Sequence, residues 1–439
     1  MKELTLKQIA DWCGGTVAPE YETVPVTGVE SDSRKVEVGD LFVALRGERV
    51  DGHDFIPSAK TLGASAALVS RPSEELPCVV VESPLRAYGE IAKHYREMTG
   101  VKVVGITGSV GKTTTKEMIA AVLRTALRTQ WTEKNYNNEI GLPVSVLRLK
   151  PDCEAAVLEM GMNHFGELSV LTRIAQPDLA VITNIGTMHI ENLGSREGIL
   201  RAKLEILEGL RPGGRVIFNG DDALLRPLAA RYHAVCFGLS EGCDVRASRV
   251  CESAEGSKFT VHAFGKSFEA ALSVPGLHNV LDALAAAAAG LLLGLSPEQI
   301  AEGLRSYAPL RQRVSHAAGM TIIDDCYNAG PESMRAALRV LAGTPTEGRR
   351  IAVLGGMLEL GDVAPELHAG VGREAAKTAD LLLAYGPCSE CYVQGAHEAG
   401  LAGARAFATH DALVAALEET CRAGDTLLFK GSHGMHMEQ

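Results

Sequence analysis

The chain has 439 residues, a formal net charge of -11, and a composition 46% hydrophobic and 22% charged. That length exceeds one ordinary core and predicts two or three domains, and the composition is that of a soluble globular protein. The acidic balance and the lack of a basic run speak against a nucleic-acid partner, but leave room for small anions held by converging backbone N–H groups.

The opening MKELTLKQIADWCGG reads as a short helix without the apolar core of a signal peptide. VTGVESDSRKVEVGDLFVALRG then alternates short apolar runs with Gly and Asp turns. SAKTLGASAALVS and ELPCVVVES predict helix–strand units, and LRAYGEIAKHYREMTG predicts an amphipathic helix ending at Gly100, a domain exit. A new pattern starts at Val101: strand VKVVGIT, a glycine loop, and helix KEMIAAVLRTALR. Strands are expected at 155–160, 179–185 and 215–220, giving a mostly parallel α/β sheet. Residues 240–275 predict an antiparallel flank, and helices follow at 278–294 and 297–306. From about Arg313, MTIIDDCYNAGPESMRAAL, RRIAVLGGM, ADLLLAYG and DTLLFKGSHG predict a second α/β sheet. The most apolar stretch, Val280 to Leu295, contains Asp282 and is too short and alanine-rich for a membrane span. The ten cysteines read as scattered reduced thiols, with no Cys-x-x-Cys pair and no metal-finger spacing, which predicts a cytoplasmic protein.

Chemistry concentrates first in Gly108-Ser109-Val110-Gly111-Lys112-Thr113. A strict Walker A loop would place glycine at 106, where Ile106 stands, so this is a shorter variant. It lies between a predicted strand and a predicted helix. Its glycines let backbone N–H groups converge on an anion at the helix N-terminus. Lys112 can bridge β- and γ-phosphates, and the Thr113 hydroxyl can ligate Mg²⁺, with Thr114 behind it. The alternative is a glycine-rich cap with a surface lysine. Glu159 ends the run AAVLEM as a candidate Mg²⁺ ligand or a solvated cap. His189 follows LAVITNIGTM at the carboxyl edge of a parallel sheet, where α/β ligands bind, as a metal or phosphate ligand or a packed histidine. Lys203, on REGILRAKLEIL, reads locally as a solvated helix lysine. The asparagines of NYNNEIG, Asn135 and Asn138 among them, suit a polar ligand or a turn.

Together TGSVGKTTTKE, TEKNYNNEIGLP, LEMGMNHFGE, ITNIGTMHIENLGSREGILRAKLEI, HNVLDALAA and DDCYNAGPESM resemble the Mur ligases over nearly the whole chain, from DSRKVEVGDLFVALRGERVDGHDF to KGSHGMHME. The resemblance implies a three-domain α/β architecture. Residues 1–99 form the UDP-sugar domain, 100–312 the central P-loop ATPase with its parallel sheet, and 313–439 a Rossmann-like C-terminal domain. NYNNEIG, YNAGPESM and GGMLELG point to the branch that joins D-Ala-D-Ala to UDP-MurNAc-tripeptide with ATP and Mg²⁺ through an acyl phosphate.

Carried over residue by residue, Lys112 and Thr113 match the phosphate-loop lysine and metal-binding threonine. Glu159 and His189 match Mg²⁺-associated residues, and Lys203 matches a lysine carbamylated in many members. Asn279 matches an adenine contact. Arg313 and Asp325 match residues that close over ATP, with Asn328 nearby. Asn135 and Asn138 fall in the family's asparagine motif. Ser31, Asp32, Ser33 and Arg34 match the UDP-sugar segment. A monomer without a membrane span is implied.

Three departures stand out: Asp282 for the second asparagine of HNxxNA, Gly356 for an acid in GDMLELG, and His433 for arginine in KGSRG. The last loses a fixed charge and a bidentate fork at neutral pH. Competing readings are another amide ligase of the family, a weakened member, or a P-loop ATPase acting on a protein partner.

Overall fold

A computed structural model describes residues 1–47, 49–253, 255–309 and 313–438. The expected domain limit at 312 falls outside them. The chain divides into two units: Met1–Thr107 with Ala126–Val181 and Leu204–Val216, and Gly108–Thr125 with Ile182–Lys203 and everything from Ile217 onward.

In the first unit, Gly28–Glu30, Asp40–Val43, Ala66–Val69 and Cys78–Val80 pair in that order as a parallel sheet. The two central strands, DLFV and AALV, are buried throughout, as parallel strands covered on both faces must be. Phe42, Ala67 and Val69 pack there with Ile56 and Ala59 of the helix Ile56–Leu62. The expected amphipathic helix is Pro84–Thr99. It is capped by Ser83 and ends on Gly100 in the left-handed region, at φ 66°. Its Arg96 is fully buried and donates to the carbonyls of Ala175 and Gln176 and to the Asp178 carboxylate. Asp178 also accepts from the Val103 N–H at 2.9 Å. This network fixes the start of strand Lys102–Thr107, which leads into the glycine loop. That strand pairs in parallel with Ala155–Glu159, which pairs in parallel with Thr129–Trp131.

The second unit contains the helix Lys112–Leu123 that follows the glycine loop. It packs on Leu277–Leu292, whose alanine run is buried, and on Pro297–Ser306. The approach is close: a Cβ on Gly303 would stand 2.4 Å from Val122 Cα. Strand Val235–Gly238 pairs in parallel with Arg215–Asn219 and with Val245–Ser253. Val245–Ser253, Gly256–Ala263 and Lys266–Leu272 then run antiparallel, the predicted flank. A further sheet has the order Arg313–Ala317, Met320–Asp324, Thr426–Lys430, Arg350–Gly355, Leu381–Tyr385, Ala404–Phe407, parallel except for its first pair. Ile323, Leu338, Leu354, Leu382, Tyr392 and Leu428 form its main core with the covering helices. The chain order of strand–helix units in this sheet agrees with the α/β reading. Among the described residues, no helix is long and apolar enough to cross a membrane.

The cysteines need one correction. All ten are free thiols, but Cys388 and Cys391 are not scattered: they stand in Cys-x-x-Cys spacing in PCSEC, at the start of helix Ser389–Glu398.

Candidate functional site

The glycine loop is held in shape by side chains that come from later in the sequence. Asn184 Oδ1 accepts from the Val110 N–H at 3.0 Å, and its Nδ2 donates to the Val110 carbonyl at 3.0 Å. Thr183 Oγ1 donates to the same carbonyl at 2.6 Å, and Ser109 Oγ accepts from the Gly186 N–H at 2.9 Å. Both loop glycines are required. Gly108 and Gly111 have φ of 154° and 83°, and added Cβ atoms would stand 1.8 Å from Thr183 Oγ1 and 2.7 Å from Asp282 Oδ1. Lys112 folds back to donate to the carbonyls of Gly108 and Ser109 at 2.8 and 3.3 Å. Thr113 and Thr114 occupy the first turn of the helix, half-buried, and its N-terminus opens at Gly111.

Asp282 lies beneath this loop. It is buried and accepts from Thr115 Oγ1 at 2.8 Å. Burial pushes its carboxyl up to about 8, only partly offset by the Thr115 hydrogen bond. The departure from the family's asparagine therefore keeps a neutral, amide-like group there below that pH.

Lys203 is not the solvated helix lysine of the local reading. It is buried, and burial followed by the charge of Lys112 holds its amine far below the usual lysine range. His189 caps a short helix at φ 64° and shares its Nδ1 with the Glu359 carboxylate. Nearby, Thr187 Oγ1 donates to Glu332 at 3.2 Å, and Arg196 donates to the Ile185 carbonyl at 2.8 Å. Asn279 is buried and donates its amide to the Pro275 carbonyl at 2.6 Å.

Arg313, Asp325 and His433 line one cavity of about 240 Å³, with Asp324, Tyr327 and Glu438. Asp325 is fixed by an ion pair with the buried Lys430 at 2.7 Å. Lys430 also donates to the Asn328 carbonyl at 2.9 Å, so the residues expected to face ATP are ordered by the lysine of KGSHG. The His433 ring lies 6.0 Å from that of Tyr327.

In the first unit, Glu159 is buried, with its N–H donated to Thr132 Oγ1 and its Oε1 accepting from Asn137 Nδ2 at 3.0 Å. The asparagine that reaches it is thus the one not singled out from the sequence. Asn138 Oδ1 instead accepts from the N–H groups of Ile140 and Gly141, and the Asn135 carbonyl accepts from Asn137 N–H. These are turn contacts. Glu30, paired with Arg148 at 2.9 Å, accepts from the N–H groups of Ser31 and Asp32. Asp32 forms a bidentate pair with Arg34, which with Lys35 holds it well below the usual carboxylate range; Ser33 lies between them.

Asn137, Thr183, Asn184, Glu332, Glu359 and Lys430 were missed by sequence reasoning. Only Asn137 and Asn184 carried a signal, as amides beside recognised motifs.

Three family models match: the Mur ligase family catalytic domain over 25–148, the Mur ligase middle domain over 106–290, and the Mur ligase glutamate ligase domain over 311–433. The UDP-N-acetylmuramoyl-tripeptide–D-alanyl-D-alanine ligase of Bacillus subtilis is 40% identical, covering 100% of this chain and 98% of that one. Its Escherichia coli counterpart is 36% identical, with the same coverage. Crystal structure I of MurF from Acinetobacter baumannii superposes with a TM-score of 0.92 at 34% identity, over 100% of this chain and 98% of the other. MurF from Thermotoga maritima in complex with ADP gives 0.84 at 30% identity, over 94% and 96%. The chain therefore belongs to the Mur ligase family: it has the family's three-domain α/β architecture, groups with its MurF branch, and is an ATP-dependent ligase of peptidoglycan precursor synthesis.

Proposed function

We propose that the protein joins D-alanyl-D-alanine to the terminal carboxylate of UDP-N-acetylmuramoyl-tripeptide, with ATP and Mg²⁺, through an acyl phosphate. The observation that carries this reading is the end-to-end likeness to ligases of that name. Residues 1–99 serve the UDP-sugar, 100–312 the nucleotide and 313–439 the closing domain. The enzyme acts in the cytoplasm as a monomer on small molecules, with no nucleic-acid partner.

A carboxylate and a γ-phosphate repel each other, so the reaction needs positive charge placed in advance. Lys112, tethered to its own loop's carbonyls, exchanges them for β- and γ-phosphate oxygens, while the loop N–H groups of Gly108 to Thr114 hold the phosphates. Asn279 takes the adenine. Burial and the charge of Lys112 lower the Lys203 amine's affinity for a proton, which favours the neutral form that attacks CO₂. Loss of a proton then leaves a carbamate, converting a cation into an anion. Thr113, Glu159 and carbamylated Lys203 supply oxygen donors and His189 a nitrogen. Mg²⁺ prefers oxygen donors and commonly keeps water and nucleotide phosphates among its ligands. When bound it neutralises charge on the transferring phosphoryl group. Ser31, Ser33 and Arg34 hold the UDP-sugar, and Asn135, Asn138 and Asn328 contact substrate. Arg313 and Asp325 close over the nucleotide and keep water from the acyl phosphate, which the D-Ala-D-Ala amine then attacks.

The test is Mg²⁺-dependent ADP release with UDP-MurNAc-tripeptide, with and without D-Ala-D-Ala. Turnover that requires both supports the assignment. Turnover with a diamino acid acceptor instead sinks it in favour of another family ligase. ATP binding without turnover points to a member weakened at Gly356 and His433.

A further inference from the structure

The Cys388–Cys391 pair belongs to none of the chemistry above. It follows strand Leu381–Tyr385 directly, through Gly386 and Pro387, and opens the helix Ser389–Glu398. Cys388 is the N-cap, and its carbonyl accepts from the Cys391 N–H at 3.0 Å, so both side chains share one face of the first turn. The two thiols are near enough for Cys388 to act on the Cys391 thiol. Both are partly exposed. Among the described residues no group of three or more His, Cys, Asp or Glu is placed to hold a metal, so the pair is not half of a zinc site there.

The segment also touches the C-terminal family motifs. A Cβ on Gly356 would stand 2.9 Å from the Pro387 carbonyl oxygen and 3.1 Å from its ring, and one on Gly386 would stand 2.6 Å from Met435 Sδ. The acid usual at 356 therefore has no room beside this turn. The Gly356 carbonyl accepts from Ser432 N–H, and Ser432 Oγ accepts from Leu358 N–H. The next residue, Glu359, holds His189. From within the helix, buried Tyr392 donates to the Gly355 carbonyl at 3.1 Å.

We propose that Cys388 and Cys391 are a redox-active dithiol that closes to a disulfide by exchange with a low-molecular-weight disulfide, and that closure shifts Pro387 and the Gly356–Glu359 segment and lowers ligase activity. One cysteine thiolate attacks a sulfur of RSSR, expelling RS⁻ and forming a mixed disulfide. The second then attacks the protein-bound sulfur, expelling the second RS⁻. The net change is two protein thiols and RSSR to one protein disulfide and two RSH. Burial first, then the neighbouring Cys388 sulfur and Glu390, push the Cys391 thiol up. Cys388, at the N-cap where the helix N-terminus favours a thiolate, is assigned as the attacking thiol and Cys391, within the first turn, as the resolving one.

The experiment equilibrates the full chain in glutathione buffers of rising glutathione disulfide content, alkylates free thiols and maps peptides by mass. ADP release is measured on the same samples. The expected result is a Cys388–Cys391 disulfide formed before exposed Cys251 is modified, with ADP release falling ~3–30-fold, the scale of coupling through packed segments, and returning with dithiothreitol. Cys391→Ser should instead accumulate glutathione on Cys388. No linked peptide at any ratio overturns the dithiol. A disulfide with unchanged ADP release overturns its coupling to the Gly356–Glu359 segment. The mapping does not depend on the substrate assignment, and an inactive reduced protein counts against that assignment alone.

Discussion

The glycine loop and the Ser31–Arg34 loop both carry residues expected to hold phosphate-bearing ligands, yet they are built differently. The first is braced by residues more than seventy positions away: Thr183 and Asn184 fix its backbone, and Asp282 lies against Gly111. The second is braced mainly by its neighbours. Glu30 gathers the N–H groups of Ser31 and Asp32, and Asp32 is satisfied by Arg34 and Lys35. A loop that recognises phosphate through backbone N–H groups must be fixed in shape before the ligand arrives, because misplaced dipoles must otherwise be reorganised during reaction. A loop that recognises through side chains needs only partners that can be exchanged. Asp32 and Arg34 are such partners, since the Arg34 side chain is 86% exposed.

Four experiments sharpen or break this contrast. The largest effect is expected for Lys112→Ala, which should lower ADP release ~10²–10³-fold, the scale of losing one pre-placed charge donor at a transferring group. A loss below tenfold would remove Lys112 from the chemistry. Next is Asn184→Ala. It strips both amide bonds from Val110 and leaves the partly buried Val110 N–H unpaired at about 1–3 kcal/mol, the carbonyl still held by Thr183, so ATP should bind roughly tenfold more weakly in a calorimetric titration. Unchanged affinity would mean that the brace is dispensable.

Asp282→Asn tests the floor of the loop through pH. The carboxyl titrates near 8 in the folded protein and near 3.9 when unfolded. Below about pH 4 it is protonated in both states; between those values unfolding releases a proton, so stability falls as pH rises toward 8. The variant should lose that slope, and its Tm at pH 8 should exceed that of the native protein. Parallel Tm–pH curves would contradict a neutral Asp282. The smallest effect is expected for Arg34→Ala: KM for the UDP-sugar substrate should rise several-fold while Tm stays constant, because exposed pairs contribute little to stability. A fall in Tm would show that this loop, too, is structural.

The legibility of the site follows the same division. The places of Lys112, Thr113 and Glu159 at strand and helix ends were readable because strand, turn and helix signals lie next to them in the chain. Lys203 was misread locally, since nothing in REGILRAKLEIL distinguishes a buried lysine from a solvated one; packing decides it. In NYNNEIG the sequence marked the amide cluster but not its division of labour. Asn138 closes a turn and Asn137 reaches Glu159, a choice set by backbone direction after the turn forms. The pairing of His189 with Glu359, across 170 positions, left no trace in local pattern.

By itself, the sequence determined the alternation of strand and helix, the glycine loop, the antiparallel flank and the family, because hydrophobic period, turn residues and motif spacing are properties of neighbouring residues. Tertiary structure alone decided which polar side chains brace the loop, that Lys203 is buried beside Lys112 with its amine held far below the usual range, that burial raises the Asp282 carboxyl, and that Gly356 makes way for the Cys388 turn. Each of these depends on burial or on a partner far along the chain, and both come into being only when the elements pack.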